Sequence, residues 1–93
     1  MITDDILKEF KDRMHISHGI EDERLKETLS ASLADIQEKC GEFSITENKR
    51  GKELVFERSR YAYNDSVEFF EDNFLSQLIS LSFELEGSVS DEY

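Results

Sequence analysis

"GKELVFERSRYAYNDSVEFFEDN" fills residues 51–73 and is the broadest amphipathic stretch of this 93-residue chain. Read as one helix, it spreads Val55, Phe56, Ala62, Tyr63, Val67, Phe69 and Phe70 over an arc of about 160° on a helical wheel. Ser59 and Ser66 fall between them. A helix with so wide an apolar face belongs at the centre of a small bundle, touching two neighbours at once. The small residues Ser59, Ala62 and Ser66 let a neighbouring backbone come close. The spacing therefore predicts a third helix from about Gly51 to about Asn73.

Its neighbours are legible on the N-terminal side. Thr3 is a plausible N-cap, and Asp4 and Asp5 suit the positive end of a helix dipole. Ile6, Leu7, Phe10 and Met14 then share one side, and this first helix should end before Gly19. A second helix opens at Glu21, Asp22 and Glu23. Leu25, Leu29, Leu33, Ile36 and Cys40 follow within an arc of about 80°, with Lys39 in the last turn and Gly41 as the C′ residue. Residues 42–50, "EFSITENKR", break the period. Ser44 and Glu47 have capping-box spacing, while a connecting loop with Phe43 and Ile45 turned inward fits equally well.

Beyond Asn73 two periods overlap. Phe74, Leu75, Leu78 and Ile79 have helical spacing, whereas Ile79, Leu81, Phe83 and Leu85 alternate with polar residues as in a strand. A lone strand has no partner in the chain, so this segment either packs irregularly or pairs with another molecule. The expected fold is all-α: one domain over residues 1–86, with three main helices and a short fourth helix or extended C-terminal segment. A flexible polar tail is expected over 87–93.

Composition narrows the function. Twenty-two acidic residues against eleven Lys and Arg give a net charge of -11. Nucleic-acid affinity comes mainly from cations that release counterions from phosphates, so a phosphate-backbone binder is disfavoured. Basic partners or plain solubility are favoured. Cys40 is the only cysteine, so no intramolecular disulfide can form and a reducing compartment is the default. No apolar run reaches the roughly 20 residues that span a bilayer. "MITDDILKEF" lacks the basic and apolar regions of a signal peptide, which points to an intracellular setting and no membrane partner.

Chemistry has little to build on. His15 and His18 with Cys40 supply no fourth metal ligand, no calcium loop is present, and no cofactor is called for. No nucleophile, elbow or phosphate loop surrounds "ERSRYAYND" at residues 57–65. Its Arg58 and Arg60 would point about 160° apart on a helix, among carboxylates, which suits nucleic acid poorly. Leu54, Arg58, Tyr61 and Asp65, however, cluster on the wheel opposite the apolar arc. Tyr and Arg are enriched where proteins meet, so these four form a candidate protein-contact patch. The plainer alternative pairs Arg58 with a nearby carboxylate, with Tyr61 lying over it. Leu81, Phe83 and Leu85 form a second candidate contact.

Residues 50–85, and most specifically "RYAYNDSVEFFEDNF" at residues 60–74, resemble the C-terminal half of the small helical head–tail connector, or DNA-packaging adaptor, proteins of tailed bacteriophages and Gram-positive prophages. Residues 20–41, with their acidic start and Cys-Gly end, resemble that family's second helix. The resemblance implies a non-enzymatic virion component without catalytic residues. It would be made in the bacterial cytoplasm and assembled as a ring between the portal and a stopper or tail-completion protein. DNA would pass through the ring without being held. Members are often monomeric before assembly. A ring needs heterologous contacts between different patches on successive copies. The alternative function is an acidic regulatory module that mimics DNA or captures a basic partner.

Overall fold

Thr3 starts the first helix: its hydroxyl oxygen accepts the Ile6 amide at 3.3 Å, and α1 runs over Asp4–Met14. The helix stops at His15, which takes a left-handed conformation with φ 60°. Ile16 donates to the Lys11 carbonyl and His15 to that of Asp12, the paired bonds of a Schellman stop. The computed structural model describes the backbone of residues 2–90 and the side chains of residues 2–86.

The second helix, α2, spans Asp22–Cys40, and every member of the narrow stripe (Leu25, Leu29, Leu33, Ile36 and Cys40) is buried. Gly41 ends it at φ 116°, a value that favours glycine. In the following loop Ile45 is buried and Phe43 half-buried, as expected of an inward-turned connection. Ser44 does not cap the next helix. Its carbonyl accepts the Glu47 and Asn48 amides in a turn, and Asn48 is the cap, accepting the Gly51 amide at 2.8 Å.

The third helix, α3, covers Lys49–Tyr63, ten residues short of the expected end. Asp65 takes a left-handed conformation at φ 58°. Ser66 donates to the Tyr61 carbonyl at 2.8 Å and Asp65 to that of Ala62 at 3.1 Å, a second Schellman stop. After it come a 3₁₀ turn over Val67–Phe69, a one-turn helix α4 over Phe70–Asn73, and α5 over Leu75–Ser90. The helical phase is lost at Asn64. Phe70 stays in the core, but Tyr63, Val67 and Phe69 are exposed rather than buried as the wheel placed them.

The expected extended segment is instead α5, and the described residues contain five α-helices and no strand, an all-α bundle. The backbone of Gly87–Ser90, expected as tail, belongs to α5, and positions 91–93 of that tail lie outside the described residues. Helix α2 packs against α1, α3 and α5. Helix α3 packs on α2 and α5 and reaches α1 through the Phe10 and Phe56 rings, 5.5 Å apart. Phe10, Leu25, Leu29, Ile36, Val55, Phe56 and Leu81 are the most completely enclosed core side chains.

Candidate functional site

The four-residue patch expected on α3 does not form an exposed surface. Leu54 is 2% exposed and belongs to the core. Truncating α3 at Tyr63 shifts its buried face, which takes in Gly51, Leu54, Val55, Phe56 and Ser59. Tyr61 is half-buried, edge-on to the rings of Phe70 and Phe74 with centroids 5.9 and 5.7 Å away. Its hydroxyl accepts the Asn73 side-chain amide at 3.0 Å, tying α4 back onto α3. Asp65 is exposed but lies past the helix end, in the stop itself. The guanidinium over the Tyr61 ring is that of Arg60, held by Glu57, and not that of Arg58.

Arg58 serves a polar seam between helices. Ser59 and Ser32, both 0% exposed, are small enough for α3 and α2 to meet closely, and the Ser59 hydroxyl donates to Ser32 at 2.9 Å. Arg58 also donates to Ser32, at 3.1 Å, and pairs with Asp35 at 3.2 Å. Asp35 pairs in turn with Lys39 at 3.0 Å, and Lys39 reaches Glu71 on α4. Ser32 thus receives two donors, and no buried side-chain polar atom among the described residues lacks a partner. Hydrogen bonding to Glu71 holds the Lys39 ammonium above the usual lysine value, with Asp35 adding to it and burial opposing.

The second candidate contact divides in two. Leu81 is fully buried and Leu85 packs against the core, whereas Phe83 is 68% exposed. Phe83 continues an exposed row with Leu75 and Ile79, three apolar residues spaced four apart along α5. Leu78, Leu81 and Leu85 form the inward row of the same helix. Sequence reasoning missed Leu75 and Ile79 as contact residues. Their i, i+4 spacing to Phe83 was visible, but the alternating pattern from Ile79 to Leu85 masked it.

An open groove of about 1000 Å³ runs between the start of α3 and α5. Phe43, Leu54, Phe74 and Leu85 line it, with Glu84 held at its rim by Asn48 and Arg50. The carboxylates of Glu53 and Glu57, which also line the groove, and those of Asp4, Glu9 and Asp22 away from it are joined to cations of the same chain. The Lys26 ammonium beside Asp4 holds that carboxyl below its ordinary value, and the Glu21 carboxylate raises the Tyr63 phenol.

Cys40 is buried, its thiol donating to the Leu78 carbonyl at 3.4 Å, away from the exposed His15 and His18. Among the described residues no group of three or more His, Cys, Asp or Glu side chains is placed to hold a metal ion, and no helix is long and apolar enough to cross a membrane. Compared with known proteins, the chain matches no family profile, no curated relative and no solved structure.

Proposed function

We propose that this protein is a non-enzymatic structural subunit of a phage head–tail junction, assembling as an adaptor ring between the portal and a stopper or tail-completion protein. The observation that carries this is the exposed row Leu75, Ile79 and Phe83, which lies inside the stretch that resembles the connector family. Large apolar side chains aligned on the outside of a small, highly charged bundle suit a protein contact. Helix α5 contributes Leu81 and Leu85 to the core, so the contact is mounted on a packed element rather than a loop. The net charge of -11, repeated around a ring, would repel duplex DNA and let it slide.

The acidic regulatory alternative is less well supported. A DNA mimic needs carboxylates arrayed and available at phosphate-like spacing, and many here are joined to neighbouring cations. Ile79→Glu and Phe83→Glu, introduced in the phage or prophage that encodes the chain, test the proposal. Each variant should keep wild-type helical circular dichroism yet leave filled heads unjoined to tails under the electron microscope. Normal particle yield with both variants, or finished particles after deletion of the gene, would refute it.

A further inference from the structure

The open groove between α3 and α5 has a built wall. Phe43 lies with its ring against the backbone of Gly51, where a Cβ would fall on the ring. Glycine weakens a helix, yet a bare backbone in the first turn of α3 is what gives Phe43 this seat. Gln37 pins the same loop from α2, its side-chain amide donating to the Phe43 carbonyl at 3.0 Å. Phe74 and Leu85, half-buried like Phe43, and the buried Leu54 complete an apolar floor. We infer that this groove docks a basic amphipathic helix of another protein, with its apolar side chains on that floor and its Lys or Arg residues among the carboxylates of the rim.

The charges of the lining choose the occupant. Four glutamates, Glu47, Glu53, Glu57 and Glu84, line the groove against two cations, Lys49 and Arg50. Both cations sit at the start of α3, where Arg50 is drawn to Glu84 at 3.3 Å. Glu53 and Glu57 follow on the same helix, one turn or about 6 Å apart. Arg13 contacts Glu53 and Arg60 contacts Glu57, each through Oε1. An ionised carboxylate carries about four lone-pair sites, so each can take a further cation through Oε2. An acidic occupant, a second copy included, is opposed by the net charge of -11, and a basic one is drawn in by it.

The dimensions suit a short helix. From Arg50 to Glu57 the α3 wall runs about 10 Å, or two helical turns. Among the described residues there is no strand edge for a peptide to extend. Docking here is therefore by side chains, one helix laid between two others. This inference goes beyond the ring proposal and stands apart from it, because Ile79 and Phe83 do not line the groove.

The probe is a fluorescein-labelled helical peptide with leucine along one face and lysine along the other, beside a second peptide with glutamate in place of lysine. Anisotropy with the purified chain should show micromolar binding of the lysine peptide, weakening as salt is added, and no binding of the glutamate peptide. Gln77 lines the groove and is exposed, so Gln77→Lys leaves the fold intact and should weaken binding about fivefold or more. Ser76→Lys adds the same charge at an exposed neighbour outside the groove and should weaken binding about twofold at most. In a nuclear magnetic resonance titration the largest backbone amide shifts should fall at Phe43, Phe74, Gln77 and Leu85. The inference is overturned if the lysine peptide fails to bind at high micromolar concentration, or if the glutamate peptide binds as well. It is equally overturned if Ser76→Lys weakens binding as much as Gln77→Lys, or if the shifts centre on Leu75, Ile79 and Phe83. None of these outcomes bears on whether particles finish in the phage experiment.

Discussion

Asp65 and His15 are the two non-glycine residues with positive φ among the described residues, and each closes a helix. Left-handed backbone costs an L-residue energy that glycine avoids, although Asp, Asn and His tolerate it better than most. Asp65→Gly and His15→Gly should therefore each stabilise the fold, by about 0.5–1 kcal/mol in urea melts. A loss of stability in both would mean that the side chains matter more than the backbone strain. Tyr61 contrasts with them because it is part of the packing. Each edge-on ring contact contributes about 0.5–1.5 kcal/mol beyond burial, and Tyr61 makes two. Tyr61→Ala should cost about 2 kcal/mol or more, and Tyr61→Phe much less, since it forgoes only the Asn73 bond. A Tyr61→Ala melting curve like that of the wild type would show that these ring contacts carry little of the packing.

At the scale of elements, the helices with one apolar stripe and recognisable caps were legible. Helix α2 buries the five stripe residues its spacing marks, and Thr3 caps α1 as its position suggests. Helix α3 was over-read because Tyr63, Val67, Phe69 and Phe70 continue its period by coincidence. The stop at "NDS", residues 64–66, uses Asp where glycine is the usual signal, so wheel and backbone parted there. Helix α5 was misread for a different reason. It carries two apolar rows, Leu75, Ile79 and Phe83 outward and Leu78, Leu81 and Leu85 inward. Interleaved, the rows produce the alternation of a strand from Ile79 to Leu85. A row that faces away from the core is invisible to reasoning that assigns every apolar residue to the interior.

The join between α2 and α4 has a predicted pH signature. Lys39 bonds Glu71 on α4, and its ammonium titrates above the ordinary lysine value in the folded chain. A group whose folded value is raised lends full stability below its unfolded value, about pH 10.4 for lysine, and loses it as pH rises through the folded value. The melting temperatures of wild type and Lys39→Met should therefore differ at pH 7–9 and converge above pH 11. A difference that persists to the highest pH would show that Lys39 acts through its methylene packing instead of its charge.

For the whole molecule, the cations matter more than the carboxylates. Among the described residues, eight of the eleven Lys and Arg side chains (Lys11, Arg13, Lys26, Lys39, Arg50, Lys52, Arg58 and Arg60) are in ion pairs. A phosphate would have to draw each away from a carboxylate while facing a net charge of -11. Binding driven by counterion release scales with the number of phosphates neutralised, and little is left here to neutralise them. Fluorescence anisotropy with a labelled duplex should detect no complex at physiological salt, and none on lowering the salt, because weaker screening strengthens repulsion as well as attraction. Micromolar affinity that falls steeply as salt is added would overturn this, since it would require a cationic surface that the described residues do not present. Absence of a complex in that assay would agree with the proposed ring, whose channel would have to let a duplex pass without holding it.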